Sequence, residues 1–156
     1  MIRSLLPADM PKALRLTERT GIFKPLEVRT LEEVLNDLHE RNQAFGHQAV
    51  GYEQEGKLVG FAYFAPEDMT DRTWNLWWIV VAKELQGAGI GGQLLLYVEE
   101  EIRRLQGRVL FIETSSQSSY EPTRRFYIKK GYDQVAVLPD YYAERDDRVI
   151  FRKRLA

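Results

Sequence analysis

Gln86-Gly87-Ala88-Gly89-Ile90-Gly91-Gly92 lies between an apolar run, Trp77 to Val81, and an amphipathic run, Leu94 to Leu105. Four of its last six residues are glycine. An apolar run, a glycine-rich link and an amphipathic run in that order predict strand, loop, helix. Glycines at such a junction let the backbone approach a ligand closely and turn N–H groups toward it. The helix start that follows adds unpaired donors and the positive end of its dipole. The stretch therefore reads as an anion site, and phosphate is the usual occupant of such sites.

Which phosphate ligand is meant depends on the surroundings of the glycines. No Lys-Ser or Lys-Thr follows them, which excludes a P-loop. Gly87, Gly89 and Gly92 do satisfy G-x-G-x-x-G, with Glu113 about 20 residues further on, which is formally the dinucleotide fingerprint. Two features oppose that reading. Ala82 to Gln86 separate the apolar run from the first glycine, where a dinucleotide fold runs its strand almost directly into the turn. Only about 65 residues follow the loop, too few for the remaining strands and crossovers.

Composition narrows the chemistry further. At 156 residues one domain, 1–156, is expected, and hydrophobic (44%) and charged (29%) contents are ordinary for a globular chain. The net charge of −1 supplies no global field toward nucleic acid or an anionic membrane, so neither is expected as a partner. The basic pairs Arg103-Arg104, Arg124-Arg125 and Lys129-Lys130 read as solvated helix faces, with one of them in reach of a cofactor phosphate. No cysteine is present, which removes thiolate ligands and a cysteinyl-enzyme intermediate. His39 and His47 lack ligand spacing, and no metal is expected. No signal peptide or spanning segment is recognisable, and a cytoplasmic location is the expectation.

Along the chain, Ile2 to Leu6 opens as a short strand. A first helix follows, with Asp9 as N-cap and Gly21 as terminator. Phe23 to Val28 reads as irregular. Thr30-Leu31-Glu32-Glu33 is a capping box, and Leu31, Val34, Leu35 and Leu38 follow at helical spacing, so a second helix is placed from Thr30. A meander comes next: Gln48 to Glu53 and Leu58 to Phe64 flank Glu55-Gly56, and Trp74 to Val81 is a third, central arm. Trp74, Trp77 and Trp78 are assigned to packing, with one of the adjacent pair Trp77 and Trp78 facing a cleft. The helix after the glycine loop has Glu99–Arg103 and Glu100–Arg104 as i,i+4 pairs on its wet side. Val109 to Thr114 is a strand, and Pro122 to Lys130 is a helix stopped at Gly131. Tyr132 to Leu138 and Val149 to Arg154 are closing strands around a polar loop, Pro139 to Asp147. The order β-α-α-β-β-β-α-β-α-β-β predicts an α/β chain of α+β type. It has a mixed, mostly antiparallel sheet of about seven strands flanked by about four helices.

Gln86, Gly89 and Gly91 after the Val81 strand match Q/R-x-x-G-x-G/A, which resembles the acyl-CoA pyrophosphate loop of the GNAT superfamily of N-acetyltransferases. Phe126-Tyr127-Ile128-Lys129-Lys130-Gly131-Tyr132 resembles that family's F/L-Y-x-x-x-G-F/Y segment, about 35 residues later. The element order is similar to the GNAT fold from Ile2 to Leu155. The resemblance implies that acetyl-CoA is the cosubstrate. The backbone of Ile79, Val80 and Val81 would bind its pantetheine arm, and Gln86, Gly87, Ala88, Gly89, Ile90, Gly91 and Gly92 would wrap its pyrophosphate. It implies Tyr127 as general acid to the departing thiolate. A glutamate at the position of Glu113 serves some members as general base; a water chain is the alternative, and Asp140 a second candidate. Tyr141 and Tyr142 are expected to border the acceptor pocket, with Phe23 to Val28 opposite. The pattern is broken at Tyr120, where an asparagine is common, so the resemblance carries no cofactor contact over to that position.

The activity so implied is an N-acetyltransferase acting on a primary amine, carried by a small molecule or a peptide, by direct transfer in a ternary complex. A homodimer is compatible with it. Two other readings stay open at this point: a catalytically silent CoA-binding regulatory module, and a transferase of a longer acyl-CoA.

Overall fold

A computed structural model describes all 156 residues. The chain runs β1 (Ile2–Ser4), α1 (Met10–Arg19), α2 (Pro25–Glu40), β2 (Gln48–Gln54), β3 (Lys57–Pro66), β4 (Thr73–Val81), α3 (Ile90–Arg104), β5 (Val109–Ser115), α4 (Glu121–Lys129), β6 (Asp133–Ala143) and β7 (Asp146–Arg154). This is the order expected from the sequence. The strands form one seven-stranded sheet, β1-β2-β3-β4-β5-β7-β6. Every neighbouring pair is antiparallel except β4–β5. A parallel pair needs a crossover, and α3 supplies it.

β3 has no polar side because it is sealed on both faces: Val59 and Phe61 through Ala65 are all buried. A side chain at Gly60 would meet Leu94 and Ile90 of α3, so by alternation Ala62 and Phe64 face α3 as well. Phe61 and Tyr63 face the other layer, where α1 packs against α2 and against β3 and β4. On α3, Ile90, Leu94, Val98 and Ile102 form one buried stripe, whereas Leu105, which helical spacing also puts on it, follows the helix and is exposed.

Several expectations are corrected. α2 starts at Pro25, not Thr30. The Glu27 carboxylate accepts the Lys24 N–H at 2.9 Å and caps the helix there, while the Thr30 hydroxyl donates to the Leu26 carbonyl one turn back. The segment read as irregular is thus largely first helical turn. Asp9 does not cap α1; its carboxylate accepts the Leu6 N–H and is gripped by both terminal nitrogens of Arg3. That guanidinium holds Asp9 below the usual carboxylate range. Glu99 is not on a wet face. It is 4% exposed and pairs with Lys153, while Arg104 pairs instead with Glu101. β6 runs on to Ala143 through a register irregularity between Leu138 and Ala143, so most of the expected tyrosine loop is strand.

Candidate active site

The parallel pair β4–β5 is in register only from Thr73–Val109 to Leu76–Ile112. Beyond Leu76 the strands part. On its other side β4 carries a bulge, because Tyr63 pairs with Trp78 while Phe64 pairs with Leu76, leaving Trp77 as the extra residue. A bulge bends its strand and sharpens the local twist. The half of β4 from Trp77 to Val81 therefore turns away from β5, leaving Ile79, Val80 and Val81 with no ladder partner on that side. A cleft of about 450 Å³ opens along this free edge.

At one end of the cleft the glycine loop closes onto α3. Gly87 and Gly89 sit at φ +87° and +88° with nothing within 4 Å of where a side chain would begin. Conformation, not space, requires glycine there. The N–H groups of Gly87, Gly89, Ile90, Gly91 and Gly92 have no acceptor within the protein; the first helical bond of α3 is Gln93 N–H to Gly89. Gln86 Nε2 donates to the Val81 carbonyl at 3.2 Å, tying the loop to the strand end. Lys130, from a basic pair read as solvated, brings its ammonium against Gly92. A row of free amides at a helix start with a cation beside it fits a diphosphate. The free strand edge fits an amide-bearing arm that pairs as a strand does.

Tyr127 stands on the opposite wall. Its ring is 2% exposed and packs on Phe126, Tyr132 and Phe151. Its hydroxyl has no hydrogen-bond partner in the protein, and the residue lines the cleft. Burial pushes this phenol above its ordinary value, which keeps it protonated and able to donate.

Glu113 is placed where β5 leaves β4, and it lines both the cleft and a second cavity of about 180 Å³. The expected apolar burial is not found. Its side chain is 46% exposed and paired with Arg148 Nε, a β7 residue diagonal to it across the β5–β7 ladder. Asp140, the second candidate base, is spent on the turn after β6: its carboxylate accepts the Arg145 N–H, and its own N–H donates to Asp147. Tyr141 and Tyr142 do come to this region. The Tyr141 ring lies 4.9 Å from the Arg148 guanidinium carbon, and burial together with Glu113 raises the Tyr142 phenol.

The aromatic lining goes only partly beyond the sequence reading, which put one of the two tryptophans at a cleft and Phe23 to Val28 at the acceptor pocket. Both Trp77 and Trp78 line the cleft, because the bulge removes the strict alternation that put only one of them there. Phe23, just before α2, packs on Trp78 at 5.4 Å and on Tyr120 at 6.5 Å, which makes an aromatic wall. Burial, with Glu27 and Asp146 nearby, pushes Tyr120 up to about 12. Trp77 is stacked on Tyr63, whose hydroxyl is 2.7 Å from His47 Nδ1.

The strand edge Ile79 to Val81, the glycine loop and Tyr127, the residues that the GNAT resemblance pointed to, all line this one cleft. The model for the GNAT acetyltransferase domain matches residues 46–134, from β2 to the start of β6. The chain belongs to the GNAT acetyltransferase family. A GNAT-family structure from Desulfovibrio desulfuricans superposes with a TM-score of 0.95 at 36% identity, over 100% of this chain and 99% of that one. A structure from Salmonella typhimurium, solved with its cofactor acetyl-CoA, shares the fold with a TM-score of 0.78 at 20% identity, over 100% of this chain and 94% of that one. The S-alkylcysteine N-acetyltransferase of Bacillus subtilis is 29% identical over 93 residues, 56% of this chain. That match covers 52% of the relative, so the chain spans about half the length of this curated relative. No helix is long and apolar enough to cross a membrane.

Proposed function

We propose that this acetyltransferase moves the acetyl group of acetyl-CoA to a primary amine by direct attack in a ternary complex. The observation that carries the reading is that the free β4 edge, the unpaired loop amides and the unpartnered Tyr127 hydroxyl all open into one cleft. The Salmonella typhimurium structure with the same fold holds acetyl-CoA. The S-alkylcysteine named for the Bacillus subtilis relative carries a primary amine.

The residues divide the work as follows. Gly87 to Gly92 hold the diphosphate and Ile79 to Val81 grip the pantetheine amides. The thioester is thereby set between Tyr127 and Glu113, and proximity supplies much of the rate. A primary ammonium with pKa near 10.4 must lose a proton first, at a cost of about 4–5 kcal/mol at neutral pH. Glu113 takes that proton, directly or through a water. As the amine nitrogen bonds to the acetyl carbon and the carbon–sulfur bond breaks, Tyr127 gives its proton to the leaving thiolate. The nitrogen sheds its second proton to solvent as the amide forms, so that the products are the N-acetylated amine and free CoA. Glu113 releases its proton to solvent, Tyr127 is reprotonated from solvent, and one proton is released overall.

Isothermal titration with acetyl-CoA, followed by thiol release over a panel of amines, tests the reading. Saturable binding with amine-dependent release is expected. Neither binding nor release with any amine would overturn it.

A further inference from the structure

We infer that the acceptor is a small α-amino acid, whose carboxylate is bound by Arg148 and whose amine is presented by Glu113 to the cleft. The inference rests on the acetyl-transfer reading for its second half only; the binding half stands on the geometry below.

The smaller cavity is lined by residues of β4, β5 and β7 together with Glu67, and by no helix residue. Its wall holds Glu113 and Arg148 at one rim and Trp77, Phe111 and Ile150 as apolar floor. Glu113 and Trp77 also line the main cleft, so anything bound here sits at the thioester's end. The Arg148 guanidinium is flanked on two sides, by the Glu113 carboxylate as ion-pair partner on its Nε side and by the Tyr141 ring over its face. Its two terminal nitrogens donate to nothing in the protein. A half-buried guanidinium flanked by a carboxylate and an aromatic ring, with its fork unused, is a bidentate site for a second carboxylate. The remaining carboxylate of the cavity, Glu67, is engaged by the Asn75 amide, so it does not compete for the fork.

An Arg–Glu pair side by side is electrostatically complementary to a zwitterion in which ammonium and carboxylate are separated by one carbon. The carboxylate meets Arg148 and the ammonium meets Glu113. In that pose the substituent on the α-carbon is left to Trp77, Phe111 and Ile150, which selects an apolar side chain. A cavity of about 180 Å³ suits one amino acid and not a folded protein surface. A peptide N-terminus, in contrast, has an amide where the free acid would sit and leaves the guanidinium fork unsatisfied, a loss of the kind that discriminates strongly.

The experiment uses L-methionine and L-phenylalanine, their carboxamides, and a peptide beginning with either residue. Binding to the CoA-loaded protein is measured by calorimetry, and thiol release is measured with acetyl-CoA. The free acids should bind about 10- to 100-fold more tightly than the carboxamides, the range of one charged hydrogen-bonded contact. Arg148→Met should abolish that preference, raising KM for the acids with little change for the carboxamides. Arg148→Lys should restore part of it, and this controls for a folding defect in the first variant. Equal use of acids, carboxamides and peptide by the natural protein, or an equal loss for all of them in Arg148→Met, would overturn the inference. Acid-selective binding that depends on Arg148 without any thiol release would leave the inference standing and overturn the acetyl-transfer reading instead.

Discussion

The Tyr132 hydroxyl donates to the buried Glu99 carboxylate at 2.7 Å, and the Tyr132 ring lies 5.9 Å from that of Tyr127. Lys153 from β7 closes the group, reaching both Glu99 oxygens at 3.0 and 3.2 Å and the Lys130 carbonyl at 3.0 Å. One carboxylate inside α3 thus ties together the helix, the end of α4 and the last strand, directly behind the proposed acid. Burial first, and then the bond to Glu99, hold the Tyr132 phenol far above its ordinary value, so the carboxylate always has its donor. Removing Lys153 strips the countercharge from a carboxylate whose side chain is only 5% exposed. Lys153→Met is expected to destabilise the fold by about 3 kcal/mol. Arg104→Met, which breaks an exposed pair with Glu101, is expected to cost less than about 1 kcal/mol. Urea unfolding of the two variants measures the difference, and equal effects would remove Glu99 as an anchor.

Tyr127→Phe removes one hydroxyl from a ring that is otherwise packed on three aromatic neighbours. Turnover should fall by about 10²- to 10⁴-fold, the usual contribution of a positioned acid. Acetyl-CoA affinity by calorimetry should stay within about twofold, because the loop amides and the strand edge are untouched. An unchanged rate would take Tyr127 out of the mechanism.

Buried phenols also set a pH limit on the fold. Tyr127 and Tyr63 are both raised above the ordinary value by burial. A raised folded-state value means that the native state holds its proton where the unfolded chain has lost it. Their contribution to stability is therefore complete below about pH 10 and is lost as pH rises beyond it. The thermal midpoint should be flat from neutrality to about pH 10 and then fall. A midpoint that holds through pH 11.5 would contradict the burial of these hydroxyls.

The fold was legible because its signals are local. Gly87 and Gly89 mark a loop that needs positive φ, and the Leu94, Val98, Ile102 stripe marks the helix behind it. Tyr127 was legible through its spacing to Gly131, which sits at φ +92° and ends α4. Glu113 was found by position, but its surroundings were not. Its partner Arg148 lies 35 residues away on a strand whose alternation of basic and apolar residues looks like an ordinary wet face. Trp77 was half legible: strand alternation put one tryptophan at the cleft, and only pairing with β3 reveals the bulge that brings both. Glu99 was misplaced because an i,i+4 pair on paper carries no information about Lys153, 54 residues on. What the sequence hid is thus non-local pairing between strands and helices.

Gly89 separates conformational cost from steric cost. Nothing lies within 4 Å of its absent side chain, yet its φ is +88°. Gly89→Ala is expected to lower stability by about 1 kcal/mol and to weaken acetyl-CoA binding by roughly tenfold, since relaxing the backbone tilts the amides of the loop. Gly91 has an ordinary φ and would place a side chain at normal contact distance from Phe126 and Val81, so Gly91→Ala should leave the thermal midpoint nearly unchanged. A Gly89→Ala protein that melts like the parent would show that the loop does not hold this conformation.

The final test concerns Glu113 and uses pH to isolate the proton it is proposed to take. At pH 7 the acceptor's amine is mostly protonated, and Glu113→Gln should lower kcat/KM by about 10²-fold or more. Raising the pH supplies neutral amine from solution, so the deficit should shrink toward unity as pH approaches 10. Glu113→Gln keeps a polar group beside Arg148 and so retains much of the packing at that rim. The pH dependence is the decisive readout, because a variant that merely misplaced the acceptor would lose the same factor at every pH. A deficit that stays constant from pH 7 to 9.5 would assign the deprotonation to a water chain instead and leave Glu113 as a binding residue for the acceptor's charge.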